Sequence, residues 1–298
     1  MPMPLPAIPS RRQALQRGLG LGLAALAHGG CSSTGPAPTG WRAGPGQALL
    51  LGEVHDNAAQ HALRARGLAA LLARGERPAL LLEQFDRDQQ PAIDALHQAG
   101  RIPPPAALEA AVDALVRAGG AGWHWPFYRP PLRLALAHGL PLVAANLGRA
   151  EARRVMQQGL AASGWRADVP ADIQQAQAAA IAAGHCGQLD AAGAARLALA
   201  QVARDQAMAG LVARHAGRGV VLLAGNGHVR TDIGVPRWLE AGLRARTLAV
   251  GLLEAGDADT GAFDSVLTTP AQDRPDPCAG LRMPPPPPPR QPSRPSSG

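Results

Sequence analysis

The chain of 298 residues has no lysine, and all 29 of its basic residues are therefore arginine. This preference raises the isoelectric point to 10.9 without requiring a basic patch on the surface. Aromatic residues make up only 3%, whereas proteins that bind single-stranded nucleic acid stack its bases on aromatic side chains. Beyond the N-terminus, no apolar run approaches the length of a membrane-spanning helix. The composition therefore excludes a multispan membrane protein and predicts no nucleic-acid partner.

The first 31 residues have the pattern of a bacterial export signal. An arginine pair at 11–12 precedes a short apolar stretch at 18–27, and the chain reaches Cys31 after two glycines. A basic start, an apolar segment and a small-residue exit are typical of secretory signals, and the arginine pair resembles the twin-arginine motif. Cys31 resembles the lipid-acceptor cysteine of bacterial lipoproteins. We therefore expect export, lipidation at Cys31, and a flexible tether at 32–46.

Two further cysteines, Cys186 and Cys278, remain if Cys31 carries a lipid. Export would place them in an oxidising compartment, where disulfides form and persist. A disulfide between them would attach the C-terminal segment to the body of the protein. The alternative is two unpaired thiols that are buried or bind a metal. The chain has no C-x-x-C pattern, which disfavours a structural zinc site.

Residues 47–269 alternate between short apolar runs and Ala-rich segments with helical spacing. Continuous apolar runs are typical of parallel strands buried on both faces. Strand–helix alternation predicts an α/β fold with a mostly parallel central sheet flanked by helices. Long insertions at about 85–140 and 147–219 predict a helical cap, and the Pro-rich segment 270–298 predicts a mostly disordered tail. The predicted strands are 47–52, 79–82, 141–145, 220–224 and 246–252.

Polar side chains gather where the first four of these strands end. The carboxyl ends of parallel strands share one edge of a sheet, where open α/β folds bind their ligands. Burying Glu83 after four apolar residues would cost several kcal/mol unless it is paired or bound. We therefore expect one cleft that contains Glu53 and His55 after the first strand, Glu83 after the second, Asn146 after the third, and Asn226 and His228 after the fourth.

The predicted cleft could perform chemistry of two kinds. Glu53 and His55 face the same side of an extended chain, because they are two residues apart. Such a carboxylate–imidazole pair can activate water or support a metal, and together with Glu83 and His228 it predicts an acid–base hydrolase. A divalent metal held by His55 and His228 is a variant of this hypothesis. The chain lacks G-x-S-x-G and H-E-x-x-H, and the polar strand ends could also be purely structural.

The segment 123–128 contains four of the nine aromatic residues of the chain, including Tyr128, its only tyrosine. Large aromatic side chains dominate the energetics both of cores and of interfaces. Two interpretations are therefore open. The segment either packs the inserted helices onto the sheet or forms one wall of a ligand site.

Taken together, these stretches resemble the ChaN family of haem-binding lipoproteins, whose superfamily also contains TraB/PrgY, TIKI and erythromycin-esterase-type proteins. The resemblance covers about residues 47–252. It implies an α/β sheet with a helical cap, attachment to the periplasmic face of the outer membrane, and haem binding linked to iron acquisition. The resembling stretches are LLGEVHDNAAQH (50–61), LLLEQF (80–85), 123–131, PLVAANLGR (141–149), GHC (184–186), AQVARDQAMA (200–209) and LLAGNGHVRTDIGVP (222–236).

The resemblance makes haem the expected ligand, with Tyr128 and the six polar strand-end residues as its expected surroundings. If the iron ligand is a tyrosinate, the chain offers only Tyr128. If Tyr128 is buried, an imidazole such as His228 or His55 is the fallback. Haem in the family is thought to lie at a dimer contact, which implies a homodimer. Haem binding is thus the first hypothesis, and the hydrolase is the alternative.

Overall fold

The computed structural model describes residues 40–276 together with 278 and 279. Cys31 and the expected export signal lie outside these residues, as do the first part of the expected tether and most of the expected tail. Within the described residues, no helix combines the length and the apolar character that crossing a membrane requires.

The described residues form one sheet of six strands, and every neighbouring pair of strands is parallel. The strands are β1 (Ala48–Leu51), β2 (Ala79–Asp86), β3 (Leu142–Asn146), β4 (Val220–Leu223), β5 (Thr247–Glu254) and β6 (Ser265–Thr269). Their order across the sheet is β3-β2-β4-β1-β5-β6. This architecture confirms the α/β fold class.

Two strands differ from the pattern expected of the apolar runs. β2 continues to Asp86, past the run that ends at Leu82, but Leu82 is its last residue paired with β4. Glu83 therefore belongs to the strand and still lies beyond its pairing with β4. β6 was not predicted, because its residues at one edge of the sheet are mostly half-buried or exposed, unlike those of β3 at the other edge. An edge strand needs no continuous apolar run.

Nine helices among the described residues flank the sheet. They are α1 (Ala58–Ala73), α2 (Gln90–Leu96), α3 (Leu108–Gly119), α4 (Arg129–Ala137), α5 (Arg149–Ala162), α6 (Ala171–Gly184), α7 (Ala191–His215), α8 (Asn226–Val229) and α9 (Ala241–Arg244).

Alternate residues of the central strands face opposite layers of helices. Leu49 of β1 packs in one core with Leu68 of α1 and Leu132 of α4. The next residue, Leu50, packs in a second core with Met208 of α7. Side chains alternate across a strand with a period of two, so burial on both faces explains the uninterrupted apolar runs.

The two insertions occupy different places. Leu115 of α3 and Leu132 of α4 belong to the core on the sheet, so the first insertion is mainly a layer on one face. In the second insertion, α5 and α6 pack on α7 through Val155, Ile173 and Val202. The expected cap therefore comes mainly from the second insertion.

The prediction of a flexible tether over residues 32–46 is wrong for the last of these residues. Trp41 and Ala43 are buried, with 4% and 0% of their surfaces exposed, and both belong to the core. The Trp41 ring lies directly on Gly67 of α1, where the missing side chain leaves room for it. The packed domain therefore begins before residue 47.

The described part of the C-terminal segment is fixed to the sheet edge. Arg274 pairs with Asp56 after β1 at 2.6 Å and with Glu254 at the end of β5 at 2.7 Å. Hydrogen bonds from the Arg274 guanidinium lower the pKa of Glu254 to about 2. Cys278 is joined to Cys186 by a disulfide whose Cα atoms are 5.7 Å apart. The cysteines are thus paired, unlike the free thiols of the alternative.

The contact between Trp41 and Gly67 leads to a stability prediction. Replacing a helical glycine by alanine normally stabilises a protein by about 0.4–1 kcal/mol. In Gly67→Ala, however, the new Cβ would overlap the Trp41 ring, so we expect the free energy of unfolding to fall by about 1–3 kcal/mol. Urea denaturation measures both effects.

Gly210→Ala on α7 is the matched control, because a Cβ there meets no atom within 4 Å. It should raise the free energy of unfolding slightly. Equal effects of the two substitutions would contradict the packing of Trp41 on α1.

Candidate functional site

A cavity of about 790 Å³ opens at the carboxyl edge of the sheet. β1, β2 and β4 are neighbours, so the residues that follow their paired parts meet there, as in other open α/β sheets. The cavity is lined by six of the seven residues expected at the site: Glu53, His55, Glu83, Asn146, Asn226 and His228.

Apolar side chains form parts of the other walls of the cavity, beside two glutamines, two arginines and two aspartates. Ile181 comes from α6, Ile233 from the segment after α8, and Leu253 from the end of β5; Phe263 follows β5 on the way to β6. A volume between about 300 and 1,000 Å³ with apolar walls and a few polar groups is usual for a small-molecule site. The cavity therefore suits a ligand that has both an apolar surface and polar groups.

Glu53 is buried below the cavity and is held by three side chains. Its Oε2 forms an ion pair with the Arg64 guanidinium of α1. Its Oε1 accepts a hydrogen bond from the Tyr128 hydroxyl at 2.6 Å and another from His55 Nδ1 at 2.8 Å. Burial lowers the pKa of Arg64 to about 10, so the guanidinium stays charged at neutral pH and balances the Glu53 carboxylate.

His61 supports this network as a neutral ring. Its Nε2 donates to the His55 carbonyl at 2.9 Å, and its Nδ1 accepts from Arg64 at 3.0 Å. Burial lowers the pKa of His61 to about 4. The ring also stacks on Phe127, with centroids 4.4 Å apart. His61 therefore positions Arg64 and the loop of His55 and does not reach the cavity.

His55 is the exposed member of the pair with Glu53. About half of its side chain, 51%, is accessible. Because Nδ1 donates to Glu53, Nε2 keeps the lone pair that can bind a metal ion. The ring lies close to Gly225, where a Cβ would approach Nε2 to 3.1 Å. The glycine thus leaves room for the imidazole at the cavity wall.

His228 lies between two buried carboxylates. Its Nδ1 donates to Asp205 Oδ1 of α7 at 2.6 Å, and its Nε2 faces Glu83 Oε1 at 3.5 Å. Glu83 Oε2 also accepts from the Gly225 backbone N–H at 2.7 Å. Burial alone would lower the pKa of His228, but the charges of Glu83 and Asp205 raise it to about 10.

This arrangement changes the role expected of His228. At neutral pH the ring is an imidazolium, which has no lone pair for iron or a divalent metal and cannot act as a general base. Despite burial, its charge lowers the pKa of Glu83 to about 2. Burial raises the pKa of Asp205 to about 6. The structure therefore disfavours His228 as a metal ligand, because both of its ring nitrogens face carboxylates.

Tyr128 does not line the cavity, contrary to the expectation of a tyrosinate ligand. The side chain is fully buried, with 0% exposed, and its hydroxyl proton is bound to Glu53. Burial raises the pKa of the Tyr128 phenol, which disfavours the tyrosinate form. By the argument from the sequence, an imidazole becomes the fallback ligand, and His55 is the one with a free nitrogen.

The two asparagines differ. Asn226 uses its whole amide to hold β5, donating to the Leu252 carbonyl at 2.7 Å and accepting from its N–H at 3.1 Å. Its place in the cavity lining is therefore structural. Asn146 accepts from the backbone N–H of Leu147 at 2.9 Å, and no partner for its amide nitrogen lies among the described residues.

The aromatic segment 123–128 mainly packs the first insertion onto the sheet. Trp125 contacts Phe85 of β2, with centroids 5.3 Å apart, and Tyr128 lies in the core. Trp123 reaches the site and meets the His55 ring edge-on at 5.0 Å. Of the two open interpretations, packing accounts for most of the segment.

Two residues of the site were not among the expected site residues. Arg64 lies one helical turn after His61, on the same buried face of α1 as Gln60. This helical spacing was the one feature of the sequence that could have indicated that Arg64 is buried near the site. Asp205 stands in an Ala-rich helix, where a buried acid demands a partner. A charged residue in the middle of a helix more often faces solvent. The role of Asp205 therefore becomes visible only from the position of His228 in the structure.

The divalent-metal variant finds no suitable donor set among the described residues. No group of three or more His, Cys, Asp or Glu side chains there is arranged to hold a metal ion. The residues expected to provide one, His55 and His228, are instead tied to separate carboxylates, Glu53 and Asp205.

The pairing of His228 with Asp205 can be tested by titration. In Asp205→Asn, one of the two charges that raise the pKa of His228 is removed, and the pKa should fall by roughly 1–3 pH units. NMR of the histidine ring C–H signals over pH 5–11 measures it. Asp172→Asn is the control, because Asp172 pairs with Arg237 at 2.8 Å. An unchanged His228 titration in Asp205→Asn would contradict the pairing.

Comparison with solved structures supports the fold. A ChaN structure from Campylobacter jejuni, described by its cofacial haem binding, is 20% identical, with a TM-score of 0.56 over 74% of this chain and 86% of that one. The type III effector HopBA1 is 14% identical, with a TM-score of 0.41 over 76% and 88%. An erythromycin esterase is 14% identical, with a TM-score of 0.39 over 71% of each chain. The last two similarities are too weak to carry an argument.

Comparison with protein families is more specific. No curated protein matches the chain. The model of the family described as "Haem-binding uptake, Tiki superfamily, ChaN" matches residues 42–239, which is more than half of the chain and contains the Glu53 network and the Glu83–His228–Asp205 cluster. The chain therefore belongs to the ChaN family of haem-binding uptake proteins.

Proposed function

We propose that this protein binds haem in the cavity at the carboxyl edge of the sheet, where His55 Nε2 would hold the iron. The single observation that carries the proposal is the half-exposed His55 ring, whose Nδ1 is bound by Glu53 and whose Nε2 is left with its lone pair. The iron of haem supplies a coordination position that an imidazole nitrogen can fill.

The residues present fit this ligand. A histidine that binds a metal almost always donates its other ring nitrogen to a carboxylate or carbonyl, which fixes its tautomer and its orientation. Glu53 provides this support and is itself fixed by Arg64 and Tyr128. The apolar walls formed by Ile181 and Phe263 suit a porphyrin face.

Membership of the ChaN family and the fold shared with the Campylobacter jejuni protein, for which cofacial haem binding is described, support the same ligand. The hydrolase alternative gains no comparable support from the family match, although the Glu53–His55 pair that it would use is present. The homodimer implied by the resemblance stays a prediction, and so does a link to iron acquisition.

A haemin titration of the purified protein tests the proposal. The wild-type protein should give a saturable shift of the Soret band. His55→Ala removes the nitrogen proposed to hold the iron and should weaken haemin binding by at least the roughly 10- to 100-fold that losing a mere supporting residue costs, with a changed Soret position. His138→Ala, at the end of α4 and outside the cavity lining, should behave like the wild type.

Tyr128→Phe separates the two ligand hypotheses. The variant loses the hydrogen bond to Glu53 but keeps the imidazole, so its haem spectrum should stay that of the wild type. A spectrum changed by Tyr128→Phe but not by His55→Ala would assign the iron to the tyrosine and refute the imidazole ligand.

We also propose that the protein is exported and held by a lipid on Cys31 at the periplasmic face of the outer membrane. The basic, apolar and small-residue pattern that ends at Cys31 supports this proposal. Cys31→Ser should move the protein from the detergent phase to the aqueous phase in a Triton X-114 partition of whole cells. An aqueous wild-type protein would contradict lipidation.

A further inference from the structure

The edge of the sheet opposite the cavity carries a concentration of arginines. The amino ends of parallel strands share one edge, and the neighbouring strands β2, β4, β1 and β5 begin there. The segments before them are 74–78, 214–219, 40–47 and 240–246. These four segments, here called the basic edge, contain seven arginines and two acidic residues, whereas the rest of residues 40–276 contains more acidic residues than arginines. The net positive charge of this part of the chain is therefore concentrated at the basic edge.

Hydrogen bonds join the four segments into one surface. The Gly46 N–H donates to the Ala216 carbonyl at 2.8 Å, which connects the segments before β1 and β4. The Arg74 guanidinium donates to the Trp41 carbonyl at 2.7 Å, and Arg246 Nε donates to the Gly46 carbonyl at 3.0 Å. The segment before β1 thus contacts the other three, and the arginines of all four belong to one surface.

Most arginines of the basic edge have no acidic partner among the described residues. Arg74 pairs with Glu76 at 2.8 Å. The second acid of the basic edge, Glu240, is exposed and forms no ion pair within the described chain. The same holds for five exposed arginines: Arg77, Arg214, Arg218, Arg244 and Arg246. Unpaired guanidinium groups on one surface repel each other and favour a partner that carries many negative charges.

An anionic membrane surface is such a partner. Negatively charged lipids attract arginines that lie near the headgroups, and a basic surface adds to the hold of a single lipid chain. The chain enters the domain at the basic edge, to which Trp41 belongs. Gly40 follows Cys31 by nine residues, which span at most about 30 Å. A lipid on Cys31 would therefore keep the basic edge near the leaflet.

We propose that the basic edge docks on anionic lipid headgroups and so directs the cavity away from the membrane. The two lie at opposite ends of the same strands. β1 runs from Ala48, beside the basic edge, to Leu51, and the cavity begins two residues later at Glu53. The inference goes beyond haem binding and takes its setting from the proposed anchoring at Cys31. A cavity that faces the aqueous compartment can receive a ligand from it.

Vesicle binding tests the surface without the lipid. The full chain with Cys31→Ser is mixed with phosphatidylcholine vesicles that contain about 30% phosphatidylglycerol, or none, and bound protein is measured by sedimentation. It should bind only the anionic vesicles, and raising NaCl from about 0.05 to about 0.5 M should release it. Equal binding to neutral vesicles, or no binding to either kind, would overturn the proposal. Because the test uses neither haem nor the lipid, it is independent of both earlier proposals.

A charge variant locates the binding surface. Adding Arg214→Gln, Arg218→Gln and Arg244→Gln to Cys31→Ser should weaken binding to the anionic vesicles about 100-fold, because each arginine near the headgroups contributes roughly fivefold. Binding that stays unchanged in this variant would refute the basic edge as the docking surface.

The matched control loses the same charge elsewhere. Arg117→Gln, Arg153→Gln and Arg196→Gln replace exposed arginines of α3, α5 and α7 outside the basic edge. This control should bind the anionic vesicles within about threefold of the Cys31→Ser protein. Equal losses in the two triple variants would mean that net charge alone, and not the basic edge, holds the protein.

Lysine at the same three positions of the basic edge keeps the charge and guards against a folding defect in the glutamine variant. It should retain vesicle binding within about threefold, since a lipid surface attracts charge and does not need the planar fork of arginine. A loss as large as that of the glutamine variant would refute docking on a lipid surface.

Hydrogen exchange with and without anionic vesicles tests the direction of the cavity. The backbone amides of the basic edge should exchange more slowly on the vesicles, whereas those of 53–57 and 225–230 at the cavity should not change. Protection of the cavity segments in place of the basic edge would contradict the proposed orientation.

Discussion

The charge of Glu53 has to be balanced inside the protein, because a carboxylate buried without a partner would destabilise the fold by several kcal/mol. Arg64 provides the balance from α1, and Tyr128 adds a hydrogen bond from the start of α4. The end of β1 and two helices are thereby joined at one carboxylate. Glu53 also accepts a hydrogen bond from His55 Nδ1, which orients the His55 ring. The network that balances the buried charge of Glu53 therefore also fixes the position of His55 at the cavity.

Two histidines at the same sheet edge differ in what binds their ring nitrogens. His55 donates Nδ1 to Glu53, which also pairs with Arg64, and no hydrogen bond to its Nε2 forms among the described residues. In His228 both ring nitrogens face carboxylates, Asp205 and Glu83, whose charges raise its pKa to about 10. One ring is available to a ligand, while the other is a fixed positive charge that joins β2, β4 and α7.

The strand-end residues could be located from the sequence, because apolar runs report burial and parallel strands share an edge. The role of each of these residues could not be predicted from the sequence in this way. Tyr128 and Glu53 are 75 residues apart in the chain. The residues around Tyr128 in the sequence do not indicate that its hydroxyl donates a hydrogen bond to Glu53. The packed tryptophan at 41 was likewise missed, because its pocket is formed by a glycine of α1.

The sequence by itself determined the α/β class, the approximate strands and the convergence of Glu53, His55, Glu83 and His228, since these depend on local hydrophobic pattern and on a general rule of sheet geometry. The tertiary structure alone decided which imidazole keeps a nitrogen for a ligand and why Tyr128 is buried. The physical reason is that pKa values and hydrogen bonds depend on neighbours in space, and here those neighbours come from distant segments of the chain.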